Sequence, residues 1–218
     1  MAEVEAWSRF TPAWNAILSE FGLQYFRMSE FAHSVSQFKT GWKNNESKRR
    51  ALLNRLIPLI LDTAKFWAGI CVSLEDYQRA DADWELHENA EPYPLCGRGV
   101  VDATKKWYDA HHYDCPLENI FEDGDENQGQ LIKLVKDATG ESPVFIKKQL
   151  APLQAADFAA YETMKAYSKL SGPVDQVFDK LRACFLPLFK LPVQFGQFEE
   201  HNLRVLCRVF DFPRRRKD

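Results

Sequence analysis

Short apolar runs, too brief to be helices, alternate along this chain with longer stretches whose apolar residues recur every three or four positions. That alternation restricts the fold to strands interleaved with helices, an α/β architecture. Trp7, Phe10, Trp14, Ile17, Leu18 and Phe21 keep helical spacing until Gly22 stops the run. Gln24 to Met28 reads as a short strand, and Ser29 to Asn44 as a loop anchored by Phe31, Phe38 and Trp42. Lys48 to Ala64 reads as a second amphipathic helix, which Pro58 should kink. Phe66 to Leu74, rich in aromatic and β-branched residues, predicts a buried strand.

A polar, acidic connector then runs to Pro94. Val100, Val101, Ala103, Trp107 and Tyr108 predict a helix, Leu117 to Glu122 a strand, Gln128 to Ala138 a helix and Pro143 to Lys148 a strand. Pro152 opens a helix reaching about Lys169, placed where its missing N–H does no harm. Helices from Val174 and Glu199 complete the chain. The turn Ser171-Gly172-Pro173 is the best internal boundary, giving a domain over 1–170 and a short helical appendage over 171–218. There are no repeats and no low-complexity segment.

Several function classes are excluded or disfavoured. Five cysteines, odd in number and without a Cys-x-x-Cys pair, read as free thiols of a reducing, cytoplasmic setting rather than a secreted disulfide framework. No basic start leads into an apolar run, so no signal peptide is expected. The most apolar stretch, Leu56 to Leu74, carries Asp62 and Lys65 and does not read as a membrane span. A net charge of −3 argues against a protein that coats nucleic acid non-specifically. The closing run Arg214, Arg215, Arg216 and Lys217 reads as a solubilising tail, with a phosphate contact as the alternative.

Phosphate-loop, dinucleotide, zinc-protease and nucleophile-elbow signatures are missing. The acidic run Asp123 to Asn127 fails as a calcium loop, because Gln128 and Leu134 occupy the turn-glycine and bidentate-Glu positions. His111-His112-Tyr113-Asp114-Cys115 reads as a surface loop, since adjacent residues rarely converge on one ion.

Two places remain informative. Glu122, Asp123 and Asp125 follow apolar Ile120-Phe121 at a strand end, where sites form in open α/β sheets. They suit a hard cation such as Mg²⁺ or Mn²⁺, or else make a solvated acidic turn. Gln154, Asp157 and Tyr161, related by steps of three and four, share one face of an alanine-rich helix. A carboxylate on so closely packing a helix needs a cation, hydrogen bonds or solvent. Its position near a helix N-terminus is the competing explanation.

"FRMSEF" (Phe26 to Phe31), the basic Lys48-Arg49-Arg50, "FEDGD" (Phe121 to Asp125) and above all "LQAADFAAYE" (Leu153 to Glu162) resemble domain of unknown function family 3800. Its members are mostly bacterial and thought to adopt a ribonuclease H-like fold. The resemblance spans roughly Val4 to Leu170. It implies a mixed sheet flanked by helices and a nuclease site of two divalent ions, Mg²⁺ or Mn²⁺, ~4 Å apart on a phosphodiester. By motif, Asp157 would be the helix carboxylate, Glu122 and Asp125 would come from the strand end, and Glu30 would be a further participant. Gln154 would orient a ligand or metal-bound water, and Lys147 or Lys148 would meet a phosphate.

The family's opening Asp-Glu-Ser strand has no counterpart here, since the chain starts almost directly at the tryptophan-rich helix. The expectation is therefore a sheet without its first strands and impaired catalysis, arising either from a truncated or mis-started sequence or in a protein whose exposed edges a second copy or a partner chain would complete. The alternative to a nuclease acting on nucleic acid is a non-catalytic binding or assembly module of a mobile-element or defence system.

Overall fold

A computed structural model describes residues 1–147, 149–168 and 183–215. In chain order the named elements begin with α1 (Val4–Glu20), α2 (Met28–His33), α3 (Glu46–Thr63), β1 (Trp67–Val72), α4 (Leu74–Asp81), α5 (Leu86–Asn89) and α6 (Pro92–Ala110). They continue with β2 (Ile120–Glu122), α7 (Gln128–Thr139), β3 (Val144–Ile146), α8 (Ala151–Tyr167), β4 (Val193–Phe198) and α9 (Glu200–Val209). The fold is mixed α/β and mostly helical. No helix among the described residues is long and apolar enough to cross a membrane.

The chain divides into two compact units, each discontinuous in sequence. Unit one comprises Met1–Trp67 and Lys147–Val193. In it α1 packs against α3 and α8, and α2 packs against α8. Its centre is a run of aromatic rings around Phe26, with centroids 6.1 Å to Trp14, 5.5 Å to Phe31, 6.1 Å to Phe38 and 6.4 Å to Phe158. Rings this large supply most of the apolar area that a core of this size removes from water. The helix α3 runs unbroken through Pro58. Asn54, whose carbonyl loses its N–H partner to that proline, is exposed and can use water instead.

Unit two comprises Ala68–Ile146 and Gln194–Asp218. The crossover β2–α7–β3 makes a parallel pair with Ile120 opposite Val144, Phe121 opposite Phe145 and Glu122 opposite Ile146. Leu131 and Val135 of α7 pack with Val101 of α6 against Phe121 and Phe145. A second cluster joins Tyr77, Ala80, Trp84, Leu86, Leu95, Leu203 and Cys207. The strands β1 and β4 pair in a separate two-stranded sheet.

Several local expectations change. The predicted strand Gln24 to Met28 is not in a sheet; Gln24 lies at a bend, Arg27 is extended at φ −132° and ψ 119°, and Met28 already opens α2, while side chains supply hydrogen bonds that a neighbouring strand would make. The loop after it contains α2, which ends where Ser34 turns left-handed at φ 54°. The acidic connector holds α4 and α5, because Ser73 caps the backbone N–H of Asp76 and Tyr77 and Ala80 share a buried face. The strands at 117–122 and 143–148 contract to three residues each. The strand β4 was not anticipated. The proposed helix from Val174, the boundary at 171–173, and Arg216 and Lys217 lie outside the described residues.

Candidate functional site

The alanine-rich α8 begins after an extended Leu150, with Pro152 in its first turn. Ala151 and Ala155 are buried. Small side chains let neighbouring backbone approach the helix, so the polar groups on that face meet main chain rather than solvent.

Gln154, only 4% exposed, makes three hydrogen bonds. Its Oε1 accepts the Trp14 indole N–H at 3.0 Å and the Phe26 backbone N–H at 2.6 Å. Its Nε2 donates to the Gln149 carbonyl at 3.1 Å. One turn on, Asp157 Oδ2 accepts the Met28 backbone N–H at 2.7 Å. That N–H belongs to the first residue of α2, one of the donors every helix leaves unpaired.

Gln37 completes the arrangement from the opposite direction. Its Oε1 accepts the Gln24 N–H at 3.0 Å and its Nε2 donates to the Tyr25 carbonyl at 2.6 Å. Three side chains thus do for residues 24–28 what a sheet neighbour would do. Phe26 and Met28, at 2% and 0% exposure, then point into the core.

Glu30 lies on α2, within three residues of the N–H that Asp157 holds. Its carboxylate accepts the Tyr25 hydroxyl at 3.0 Å. The Tyr25 phenol is raised above its usual pKa, first by desolvation and then by its bond to Glu30. Tyr161, the third residue of the α8 face, meets the His33 ring at a centroid distance of 6.4 Å.

Unit one therefore holds Glu30, Gln154, Asp157 and the exposed Lys147; Lys148 lies outside the described residues. Glu122 and Asp125 belong to unit two. Asp125 accepts the Asn127 N–H at 2.8 Å, and Gly124 adopts φ 109° beside it, which is the geometry of an Asx-stabilised turn. Burial raises the Tyr93 phenol, and the charges of Asp125 and Glu122 raise it further.

On the α8 face it is Gln154 that has no acceptor left for a ligand such as a water bound to Mg²⁺ or Mn²⁺. Gln154 Oε1 already accepts two N–H bonds, its full complement, and Asp157 Oδ2 is occupied by a backbone donor. Among the described residues no group of three or more His, Cys, Asp or Glu is placed to hold a metal ion.

Sequence reasoning found Gln154 and Asp157 but not their donors. Trp14 and Gln37 carried no signal beyond an apolar helix position and a loop amide. Glu162, 1% exposed on α8, was also overlooked; it accepts the Cys184 thiol at 3.5 Å. Comparison with models of known families gives no match, and no curated protein or solved structure matches significantly.

Proposed function

We propose that this chain is a non-catalytic binding module on a ribonuclease H-like plan, in which the acid–amide pair of the Leu153–Glu162 motif serves architecture. One observation carries the reading: Gln154 Oε1 spends both its acceptor sites on the Trp14 indole and Phe26 backbone N–H groups, and Asp157 Oδ2 takes the backbone N–H of Met28. A side chain that orients a metal-bound water or binds a metal must keep a lone pair for it. Gln154 keeps none, and its burial rules out easy rearrangement.

The second reading is a divalent-metal-dependent nuclease. It is favoured by Asp157 and Glu30 standing near the same end of α2, with Asp157 only half-buried. Both carboxylates would then serve Mg²⁺ or Mn²⁺ together with acids supplied from elsewhere.

Substitutions at Asp157 separate the two. As an architectural acceptor, Asp157→Asn keeps an oxygen for the Met28 N–H and should cost at most about 1 kcal/mol, whereas Asp157→Ala should cost about 1–3 kcal/mol. As a metal ligand, Asp157→Asn should leave the fold intact and abolish both Mn²⁺ binding by calorimetry and Mn²⁺-dependent nucleic-acid cleavage. Cleavage by the wild type that this variant abolishes would overturn the module reading.

A further inference from the structure

We infer that the basic loop running from Lys39 into the first turns of α3 is a docking surface for the phosphate backbone of nucleic acid. This deepens the binding-module reading by naming its partner and the face that meets it.

The chain's small net charge conceals a division. Unit one carries 16 Lys and Arg against 10 Asp and Glu, while unit two carries 12 against 21. Within unit one the cations concentrate over residues 39–50, where Lys39, Lys43, Lys48, Arg49 and Arg50 face a single carboxylate, Glu46. Lys39, Lys43 and Arg50 are exposed, and no ion pair engages them among the described residues. The one local pair, Arg49 with Glu46, is open at 3.6 Å.

These cations are poorly placed for stability. Lys48, Arg49 and Arg50 follow closely on the start of α3 at Glu46, where the aligned peptide dipoles already present positive charge. Like charges crowded there repel one another and the helix end, and a bound anion would relieve both.

The cations also stand on a firm base. Lys48 Nζ lies 4.2 Å from the Trp42 ring centroid and the Arg49 guanidinium 4.0 Å from that of Phe31. Both rings are buried, Trp42 packing on Phe38 at 5.2 Å and on Phe31 at 6.2 Å. Asn45 closes the turn by accepting the Lys48 N–H at 3.1 Å and donating to the Gly41 carbonyl at 3.3 Å. Arg49 also donates to Ser34 Oγ at 3.2 Å. A loop ordered in advance loses little entropy when it binds.

The chemistry favours a nucleic acid over other polyanions. A protein-docking surface needs exposed aromatic or aliphatic anchors, and an interfacial membrane contact needs an apolar face to insert. None of the large exposed apolar side chains among the described residues falls within 39–50. Cations without apolar anchors match a phosphate backbone, whose contacts position a partner without reading its sequence.

The test is fluorescence anisotropy with labelled single-stranded DNA, duplex DNA and RNA, in EDTA, across a salt series. The variant Lys39→Gln/Lys43→Gln/Arg50→Gln should bind about tenfold or more weakly at low salt. The slope of log K against log salt should shrink by about 0.9 per lost contact on duplex and about 0.7 on single strands. Lys133→Gln/Lys136→Gln in unit two should bind as wild type. Circular dichroism confirms the fold, and Lys43→Gln alone, expected to lose one contact's share of the slope, substitutes if the triple variant unfolds.

Wild-type affinity in the triple variant would overturn the surface while leaving the module reading in place. Failure of the wild type to bind any of the three probes at low salt would overturn it as well. Mn²⁺-dependent cleavage with loss of affinity in the triple variant would uphold the surface and remove the module reading instead.

Discussion

Replacing Gln154 by Leu keeps nearly the same volume in α8 and removes only its hydrogen bonding. The Trp14 indole N–H and the Phe26 backbone N–H both lose their acceptor in a site that is 4% exposed. A buried donor left unpaired costs about 1–3 kcal/mol, so the two together should cost about 2–6 kcal/mol. That is a large share of a domain's usual ~5–15 kcal/mol. With a urea dependence of about 1–3 kcal/mol per molar, the midpoint should fall by about 0.7 M or more, read by tryptophan fluorescence and circular dichroism together. Trp14→Phe supplies the internal check, because it removes one of the two donors. In that background Gln154→Leu should cost less by about 1 kcal/mol or more, the coupling expected of groups in one hydrogen-bonded network. A loss below about 1 kcal/mol for Gln154→Leu, or no coupling to Trp14, would refute the claim that this amide organises unit one.

Two further outcomes concern unit two. A Cβ added at Gly97 would stand 2.7 Å from Leu131 Cδ1 and 3.3 Å from Phe121 Cε1. Leu131 is fully buried, so moving it aside disturbs the packing around it and Gly97→Ala should destabilise by about 1–3 kcal/mol in a denaturant titration; an unchanged midpoint would show that α6 and α7 are loosely packed. Burial pushes the thiols of Cys71, Cys96 and Cys207 up to about 11, 12 and 11, with the neighbouring Cys71 adding to the effect at Cys96. They therefore stay protonated at pH 8, and brief alkylation followed by mass spectrometry should mark exposed Cys115 first. Above pH 9 the unfolded chain ionises these thiols while the folded chain does not, so stability should fall from pH 9 towards 11, by up to about 1.4 kcal/mol per pH unit for each thiol. A flat stability profile over that interval would mean that the three thiols are solvated in the fold.

The helices were legible where an apolar stripe recurs at helical spacing. The tryptophan-rich α1, α7 with Leu131, Leu134 and Val135 buried, and α8 behind its proline all stand close to where the pattern put them. The acidic connector was less legible because α4 and α5 bury so few apolar side chains. The strand β4 hid behind Gln194, Gly196 and Gln197, residues with little strand preference whose pairing with β1 is a tertiary fact.

The segment 24–28 shows why a correct pattern can yield an incorrect element. Phe26 and Met28 are buried while Tyr25 and Arg27 are partly exposed, which is the period of a strand. What makes a strand part of a sheet is the partner that takes its backbone bonds, and here the acceptors come from residues 128 and 129 positions away. No local reading contains that information.

The candidate site was legible to the same depth. Spacing placed Gln154 and Asp157 on one face, but it could not say what the face meets. An extended chain offers same-side N–H groups every two residues, about 6.6 Å apart. Helix positions three apart rise only about 4.5 Å. A glutamine, one methylene longer than an aspartate, can make up the difference, so the pair Gln-x-x-Asp is matched in reach to two alternate N–H groups of an extended segment. That geometric match gives the motif's most distinctive residues a reason that requires no reaction. It also makes Asp157→Asn the decisive comparison, since an amide preserves the reach and the acceptor while removing the charge that a divalent ion would require.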